Sequence, residues 1–311
     1  MRLVIRGTIK LFTWITVVLV LATLAQSWHP ALDSLSHFRL HLIAILLALT
    51  VCLMLMKAWR WSVIGLVTSL AALALTAPYL PSMKRGFALE AFTNDWNEVR
   101  VVQHNVGFFN TDHDALFATL NDANADILIM QEVSPRQKPL IARLTARFPH
   151  QHVCQRGGAA LLSRTPFAET PTCCPAPLRA IRASVSVGEA RLTVAGQHGS
   201  WPWPFTQHQK IPATKECLAG LKPPFVVAGD FNAAPWSDSV QQLAHAFDAT
   251  VVPGVKLTWA PRTINPINRN AWPLLPIDQI MHSREMGVLQ RDVLAASGSD
   301  HSAVLTVLRW P

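Results

Sequence analysis

Phe225-Val-Val-Ala-Gly-Asp-Phe-Asn232 is the stretch on which the architecture turns. Four apolar residues of strand character run straight into a glycine, an acid and an amide. A short, continuously apolar strand belongs in a sheet covered on both faces. Asp230 and Asn232 sit two residues apart on the turn that follows, so both can hold one attacking water and one phosphoryl oxygen. The pattern recurs upstream: Val101-Val102 runs into Gln103-His104-Asn105, Ile127 to Met130 into Gln131-Glu132, and Leu192 to Ala195 into Gln197-His198. Helical segments are predicted between these strands, at Asp114 to Asn121, Pro139 to Arg147 and Ser237 to Phe247, the last with a Ser-Asp-Ser start suited to capping. Alternation of this kind predicts an α/β domain of layered sheets, with the polar strand ends gathered on one rim.

Taken alone, Glu132 reads more readily as a solvated strand end, and a lone His198 is more often a hydrogen-bonded structural residue. Convergence carries the argument. Ser299-Asp300-His301 places an acid beside an imidazole just before the apolar strand Ala303 to Leu308, and Pro276-Ile277-Asp278 supplies another acid. An Asp accepting from one imidazole nitrogen fixes the tautomer and raises the basicity of the other.

In that order and at those spacings, Gln-His-Asn105, Gln-Glu132, Gln-His198, Gly-Asp230-Phe-Asn232, Ile-Asp278-Gln-Ile and Ser-Asp300-His301 resemble the endonuclease/exonuclease/phosphatase superfamily, which includes DNase I, exonuclease III, inositol polyphosphate 5-phosphatases and neutral sphingomyelinases. The likeness covers about residues 99–309; Leu161-Leu162-Ser163-Arg164-Thr-Pro and Pro235-Trp236-Ser237 support it. It implies a DNase I-like four-layered α/β sandwich and phosphoester hydrolysis with a divalent cation, Mg²⁺ or alternatively Mn²⁺. By the same resemblance, Glu132 is the central metal ligand, with Asn105 and Asp300 beside the metal or its waters. Carboxylate and amide oxygens suit such a hard ion. Asp230 and Asn232 are then expected to place the nucleophilic water, while His301, oriented by Asp278, and His198 serve as acid/base groups or stabilise charge. Which group takes the proton is left open.

Residues 86–311 contain no tyrosine, the single one being Tyr79, so the active-site Tyr of exonuclease III-like repair enzymes is missing. Charge points the same way. Residues 1–85 hold eight Lys/Arg against one Asp, which is +7 of the net +8, leaving +1 for residues 86–311. A duplex-binding surface needs a basic excess in its own domain, so nucleic acid is not expected as a partner.

The chain divides at about residue 85 into a membrane anchor (1–85) and a catalytic domain (86–311). Uncharged runs at 11–32, 40–56 and 61–83 can each cover about 25 to 30 Å of hydrocarbon as a helix. Three transmembrane spans are therefore expected, with a two-span anchor as the alternative, because the middle run is shortest and contains His41. Arg2, Arg6 and Lys10 before the first run, and Lys57 and Arg60 between the second and third, put the N-terminus in the cytoplasm. The catalytic domain then lies on the outer, periplasmic face of a bacterial inner membrane, although Lys84 and Arg85 weaken that bias. The first run also reads as a signal peptide ending near Thr23-Leu24-Ala25.

Cys154, Cys173, Cys174 and Cys217 would sit where disulfides persist. Neighbours Cys173 and Cys174, with Cα atoms about 3.8 Å apart, fall below the disulfide window. Two complete pairings remain, alongside free thiols. Beyond His198, Gly199-Ser-Trp201-Pro-Trp203-Pro-Phe205 reads either as a rigid packed loop or as a hydrophobic lip at a membrane interface; Pro261 to Pro276 is expected to be a loop walling the site. Spans, a nearly neutral catalytic domain and this loop together are similar to membrane-bound bacterial members of the superfamily, the teicoplanin-resistance type that dephosphorylate undecaprenyl pyrophosphate. The expected partners are thus a membrane lipid phosphate and the bilayer. An exported nuclease or a sphingomyelinase-like phosphodiesterase is the alternative.

Overall fold

The computed structural model describes residues 2–80, 97–154, 158–261 and 274–311. Residues 81–96, expected from their mixed polarity to form with Asn97 a linker before the first strand and including Lys84 and Arg85, lie outside them, as does most of the 261–276 loop.

Two six-stranded sheets form the centre of residues 97–311. The first has the order β11 (Gly287–Val293), β12 (Val304–Trp310), β1 (Asn97–Asn105), β2 (Ile127–Gln131), β4 (Ala160–Ser163) and β3 (His150–Val153). The second has the order β5 (Thr172–Cys173), β6 (Arg179–Val187), β7 (Ala190–His198), β8 (Phe225–Asp230), β10 (Asp278–Ser283) and β9 (Ala249–Val251). Strands β1 and β2 are parallel, as are β7 and β8.

Side chains alternate across a strand, and the cores follow that period. Val99, Val101, Ile127 and Ile129 of the first sheet meet Leu192, Val194, Val226, Ala228 and Ile280 of the second in one buried inter-sheet core. The intervening residues Val102, Leu128 and Met130 face outward onto Leu116 and Leu120 of α5 (His113–Asp122) and Leu140 and Leu144 of α6 (Lys138–Leu144). On the other side, Phe225 and Val227 pack on Ile211 of α7 (Gln207–Cys217) and on Val240, Leu243 and Phe247 of α8 (Asp238–Phe247). The result is the expected helix–sheet–sheet–helix sandwich, because strands apolar on both faces need a cover on each.

Two boundaries differ from expectation. Helix α6 ends at Leu144, and Arg147 donates to Leu144 O, an i→i+3 turn that leaves the α-helical path before Arg147. The polar residues expected after β1, β7 and β8 are their last paired residues: Asn105 stands opposite Gln131, and His198 opposite Asp230.

Of the pairings left open, the structure has Cys154–Cys173 and Cys174–Cys217. The first ties the end of β3 in one sheet to β5 in the other; the second ties the segment after β5 to α7.

At the N-terminus, α1 covers Arg2–Leu24, α2 Pro30–Ser36, α3 Arg39–Leu55 and α4 Trp59–Thr76. Among the described residues two helices are long and apolar enough to cross a membrane, Leu3–Leu24 and Trp59–Tyr79. The run expected at 11–32 is not one helix. It starts earlier, since Arg6 and Lys10 are good helix formers, and it ends before Pro30, which opens α2 instead. A third crossing exists only if α2 and α3, bent by 64° to each other, count as one. Val17, Val20, Ile43, Leu46 and Ala72 join α1, α3 and α4 in a small core of their own.

Candidate active site

Strand parity explains why the polar ends converge. Asn105 continues the face of Val99 and Val101, His198 that of Leu192 and Val194, Asp230 that of Val226 and Ala228, and Asp278 that of Ile280. All four therefore emerge on the inter-sheet face, at the mouth where the two sheets part. Gly229 permits the close approach of β8 to β7 there, because a Cβ would sit 1.9 Å from Gln197 O.

At the centre is a buried relay. His301 Nδ1 lies 2.9 Å from Asp278 Oδ2, and its Nε2 lies 3.6 Å from Asp230 Oδ2. Asp278 is further held by Gln103 Nε2 on Oδ1 at 2.7 Å and by Thr258 Oγ1 on Oδ2 at 2.5 Å. Burial alone would depress the imidazole, but the carboxylates of Asp278 and Asp230 outweigh it and raise His301 to about 10. Burial likewise opposes the Asp278 anion, yet His301 and the hydrogen bonds prevail and hold it below the usual range. Asp230 is pushed up to about 7 by burial, and the neighbouring Asp278 charge adds to this against the pull of His301. Two carboxylates thus share one imidazolium, and the better-stabilised anion is Asp278.

Around this relay the remaining residues close the mouth. Asn105 Nδ2 donates to Asp230 Oδ2 at 3.0 Å. Asn232 takes a left-handed φ of +50°, its N–H donates to Asp230 Oδ1 at 2.8 Å, and its Nδ2 donates to Gly199 O at 2.9 Å. His198 Nε2 stands 3.5 Å from Asp230 Oδ2 and 3.8 Å from Glu132 Oε1. Burial, with the Arg179 charge adding, depresses His198 to about 3, so it is neutral. Arg179 NH1 lies 3.5 Å from His198 Nδ1. A donor there leaves the ring proton on Nε2, facing the carboxylates. Glu132 is also left-handed, at φ +58°, and Phe108 N donates to its Oε2 at 2.7 Å. Left-handed non-glycine residues cost about 1–3 kcal/mol and collect at functional sites. Asp300 is half-buried, and its charge adds to the field that raises His301.

Residues 102–301 match the model of the Endonuclease/Exonuclease/phosphatase family. The chain belongs to that family. As a member it is a metal-dependent phosphoric ester hydrolase. Solved structures share the fold. An endonuclease/exonuclease/phosphatase from Beutenbergia cavernae is 18% identical with a TM-score of 0.57, over 69% of this chain and 72% of its own. One from Bacteroides vulgatus is 17% identical with a TM-score of 0.57, over 69% and 99%. A magnesium-bound beta toxin variant from Staphylococcus aureus is 15% identical with a TM-score of 0.52, over 67% and 99%. No curated protein sequence matches the chain.

A family hydrolase needs a place for its cation, and the donor chemistry indicates where. Asp230, Asp278 and His301 bring ligand-type atoms within 4.8 Å of one another. That trio is committed elsewhere: the imidazole faces a carboxylate at each nitrogen, and Asp278 already accepts from three side chains. Glu132 differs. Its side chain is 28% exposed, against 2–6% for Asp230, His198 and His301, and Oε1 points across the mouth while Oε2 is held by Phe108. An anchored, partly exposed carboxylate fits a hard ion that keeps several waters. The His152, Cys154 and Cys173 group is no metal site, because its two sulfurs are joined to each other.

Several supporting residues escape a reading by strand ends. Gln103 was legible in principle, lying two residues before Asn105 on the same face. Thr258, Arg179 and Trp259, whose ring lies 6.5 Å from that of His301, were not. Arg179 reaches the site because it pairs with His198 across β6 and β7. Such register is invisible before the fold is known.

Proposed function

We propose that this hydrolase cleaves a phosphate ester or pyrophosphate on a membrane lipid, with undecaprenyl pyrophosphate the leading substrate. The observation that carries the reading is where the aromatic loop sits. Trp201, Trp203 and Phe205 are 57%, 51% and 62% exposed on the segment leaving His198. The same loop touches α2: Ser34 Oγ donates to Trp203 O at 3.4 Å, and the His29 and Trp203 rings lie 6.4 Å apart. Exposed aromatics beside membrane-type helices suit the headgroup layer. The catalytic mouth then opens where lipid phosphates are.

In this reading Glu132 is the main metal ligand, with Asn105 and Asp300 close by, and Mg²⁺ or Mn²⁺ supplies positive charge to the phosphoryl oxygens when bound. Asp230, poised near neutrality and steadied by Asn105 and Asn232, orients the nucleophilic water and takes its proton. His301, kept cationic by Asp278, stabilises the charge that grows on the pentacovalent phosphorus. His198 donates from Nε2 to the same oxygens. The anchor is read as three spans in a bacterial inner membrane, α2 and α3 together forming the middle one, with the catalytic domain on the periplasmic face. Two disulfides support an oxidising compartment.

The test is product analysis on the purified full chain in detergent with Mg²⁺. Inorganic phosphate from undecaprenyl pyrophosphate is the expected result. No phosphate from that or related polyprenyl pyrophosphates, with phosphocholine from sphingomyelin or salt-sensitive DNA cleavage instead, would replace this reading with the phospholipase or the nuclease.

A further inference from the structure

Asp33 is the only acidic residue among residues 1–85, and it is buried. Its carboxylate meets the catalytic region: Oδ1 accepts from Asp238 N at 2.6 Å and Oδ2 from Ser239 N at 3.1 Å. These are the opening N–H groups of α8, which have no partner within their own helix. Ser237 Oγ takes Val240 N at 3.3 Å, so the cap of α8 is complete only with a residue from the N-terminal helices. An anion there also complements the positive end of the helix dipole.

Trp236, just before that cap, is buried and enclosed by the same helices. Its indole N–H donates to Ser36 O at 2.7 Å, and its own carbonyl accepts from Gln26 Nε2 at 2.5 Å. The Arg39 guanidinium lies 5.7 Å from its ring centre and is itself fixed by Thr23 O at 2.5 Å and by Gln26 Oε1. The Tyr79 ring lies 6.4 Å away, and Tyr79 O accepts from Gly254 N at 3.0 Å. Only Ala233, Ala234 and Pro235 separate Trp236 from Asn232, and both alanines are fully buried. The strained Asn232 turn that grips Asp230 is therefore pinned at its far end by the N-terminal helices.

We propose that Asp33 and Trp236 are positioning residues for catalysis: the membrane helices form part of the scaffold that holds the Asp230–Asn232 turn in its working geometry. The proposal rests on Asp230 and Asn232 being catalytic; it does not depend on a lipid substrate. A displacement of about 1 Å in a catalytic group can cost on the order of a hundredfold in rate, so a loosened turn is readable.

The experiment uses the full chain in detergent micelles with Mg²⁺ and the soluble ester bis(p-nitrophenyl) phosphate. For Asp33→Ala and Trp236→Phe, kcat is expected to fall about tenfold with KM within about twofold. Amide exchange at Asn232 and Ser239 should accelerate, and Asp33→Asn, which keeps one acceptor oxygen, should recover part of the rate. Folded variants with unchanged kcat, or with only KM altered, overturn the proposal. If Asp33→Ala does not fold, Trp236→Phe decides, because it keeps an aromatic ring in the site while removing the indole donor to Ser36 O. Asp230→Ala is measured alongside: if it stayed active the catalytic reading fails, whereas an inactive Asp230→Ala beside a fully active Asp33→Ala fails only the anchor inference.

Discussion

The N-terminal helices and the sheet sandwich are both rich in apolar residues, yet they are patterned in opposite directions. In the sandwich, Ile129, Leu128, Val194 and Val227 are fully buried. In the helices, Leu3, Leu55, Trp59 and Leu75 are 88%, 80%, 60% and 60% exposed, while Thr13, Thr16, Thr50, Ser62, Ser69 and Thr76 are buried. Hydroxyls among them bond back to carbonyls of their own helices, as Ser69 does to Gly65 and Thr76 to Ala72. Apolar outside with small polar groups inside, all of these but Thr50 bonded to a carbonyl of their own helix, is how helices associate in lipid. The difference teaches that the two parts of the chain bury opposite kinds of residue, and in the proposed reading the catalytic mouth lies where a lipid and an aqueous environment meet.

That contrast can be broken in four places. The largest effect is expected at the relay. Asp230→Ala removes the carboxylate that His301, His198, Asn105 and Asn232 all face, so phosphoester hydrolysis should fall by about 10³-fold or more while folding is retained. Steady-state kinetics with a melting curve on the same sample checks both halves of the statement. Retained activity would remove Asp230 from the chemistry.

Next comes one substitution made in both solvents. Leu128→Ala opens a cavity between the first sheet and its helices and should cost about 2–5 kcal/mol. Leu55→Ala, on an 80% exposed side chain, should leave stability in detergent within about 0.5 kcal/mol. Comparable losses from the two, measured by denaturant titration, would refute the inverted pattern. A third substitution tests the helix packing itself. A Cβ on Gly65 would lie 2.2 Å from Thr50 Oγ1, so Gly65→Val should force α3 and α4 apart at a cost of about 1–3 kcal/mol. Cysteine cross-linking between the two helices would fall in parallel.

Much of the sandwich was legible because its strands carry two messages at once. Val226 and Ala228 mark one face, Phe225 and Val227 the other, and an apolar strand that ends in Asp230 has its chemistry at a fixed end. Asn105, Glu132, His198, Asp278 and His301 converge for that reason, each standing at or near the end of an apolar strand. What hydropathy could not give was helix phase and helix ends. The run at 11–32 is apolar for most of its length, but Pro30 cannot continue α1, so the chain turns and opens α2. Nor could it show partners distant in sequence. Arg179 meets His198 through strand register, Thr258 meets Asp278 from a loop, and Asp33 reaches α8 across about two hundred residues. Long-range pairing is a property of the packed layers.

The smallest effect is expected at the exposed aromatic loop beside α2, the lip of the proposed reading. Trp203 is 51% exposed, and its backbone carbonyl makes the bond to Ser34, so its indole adds little to the catalytic geometry. In an interfacial role the ring would bury apolar area among headgroups only when a membrane or micelle presents the substrate. Trp203→Ser should therefore raise KM for a lipid phosphate in mixed micelles by about 3- to 10-fold, equivalent to about 0.7–1.4 kcal/mol of lost apolar contact. Turnover of a soluble phosphodiester should be unchanged, because the relay of Asp278, His301 and Asp230 does not touch the ring. Equal losses on both substrates would assign the loop to packing around His198, and the mouth would then have no demonstrated side facing the bilayer.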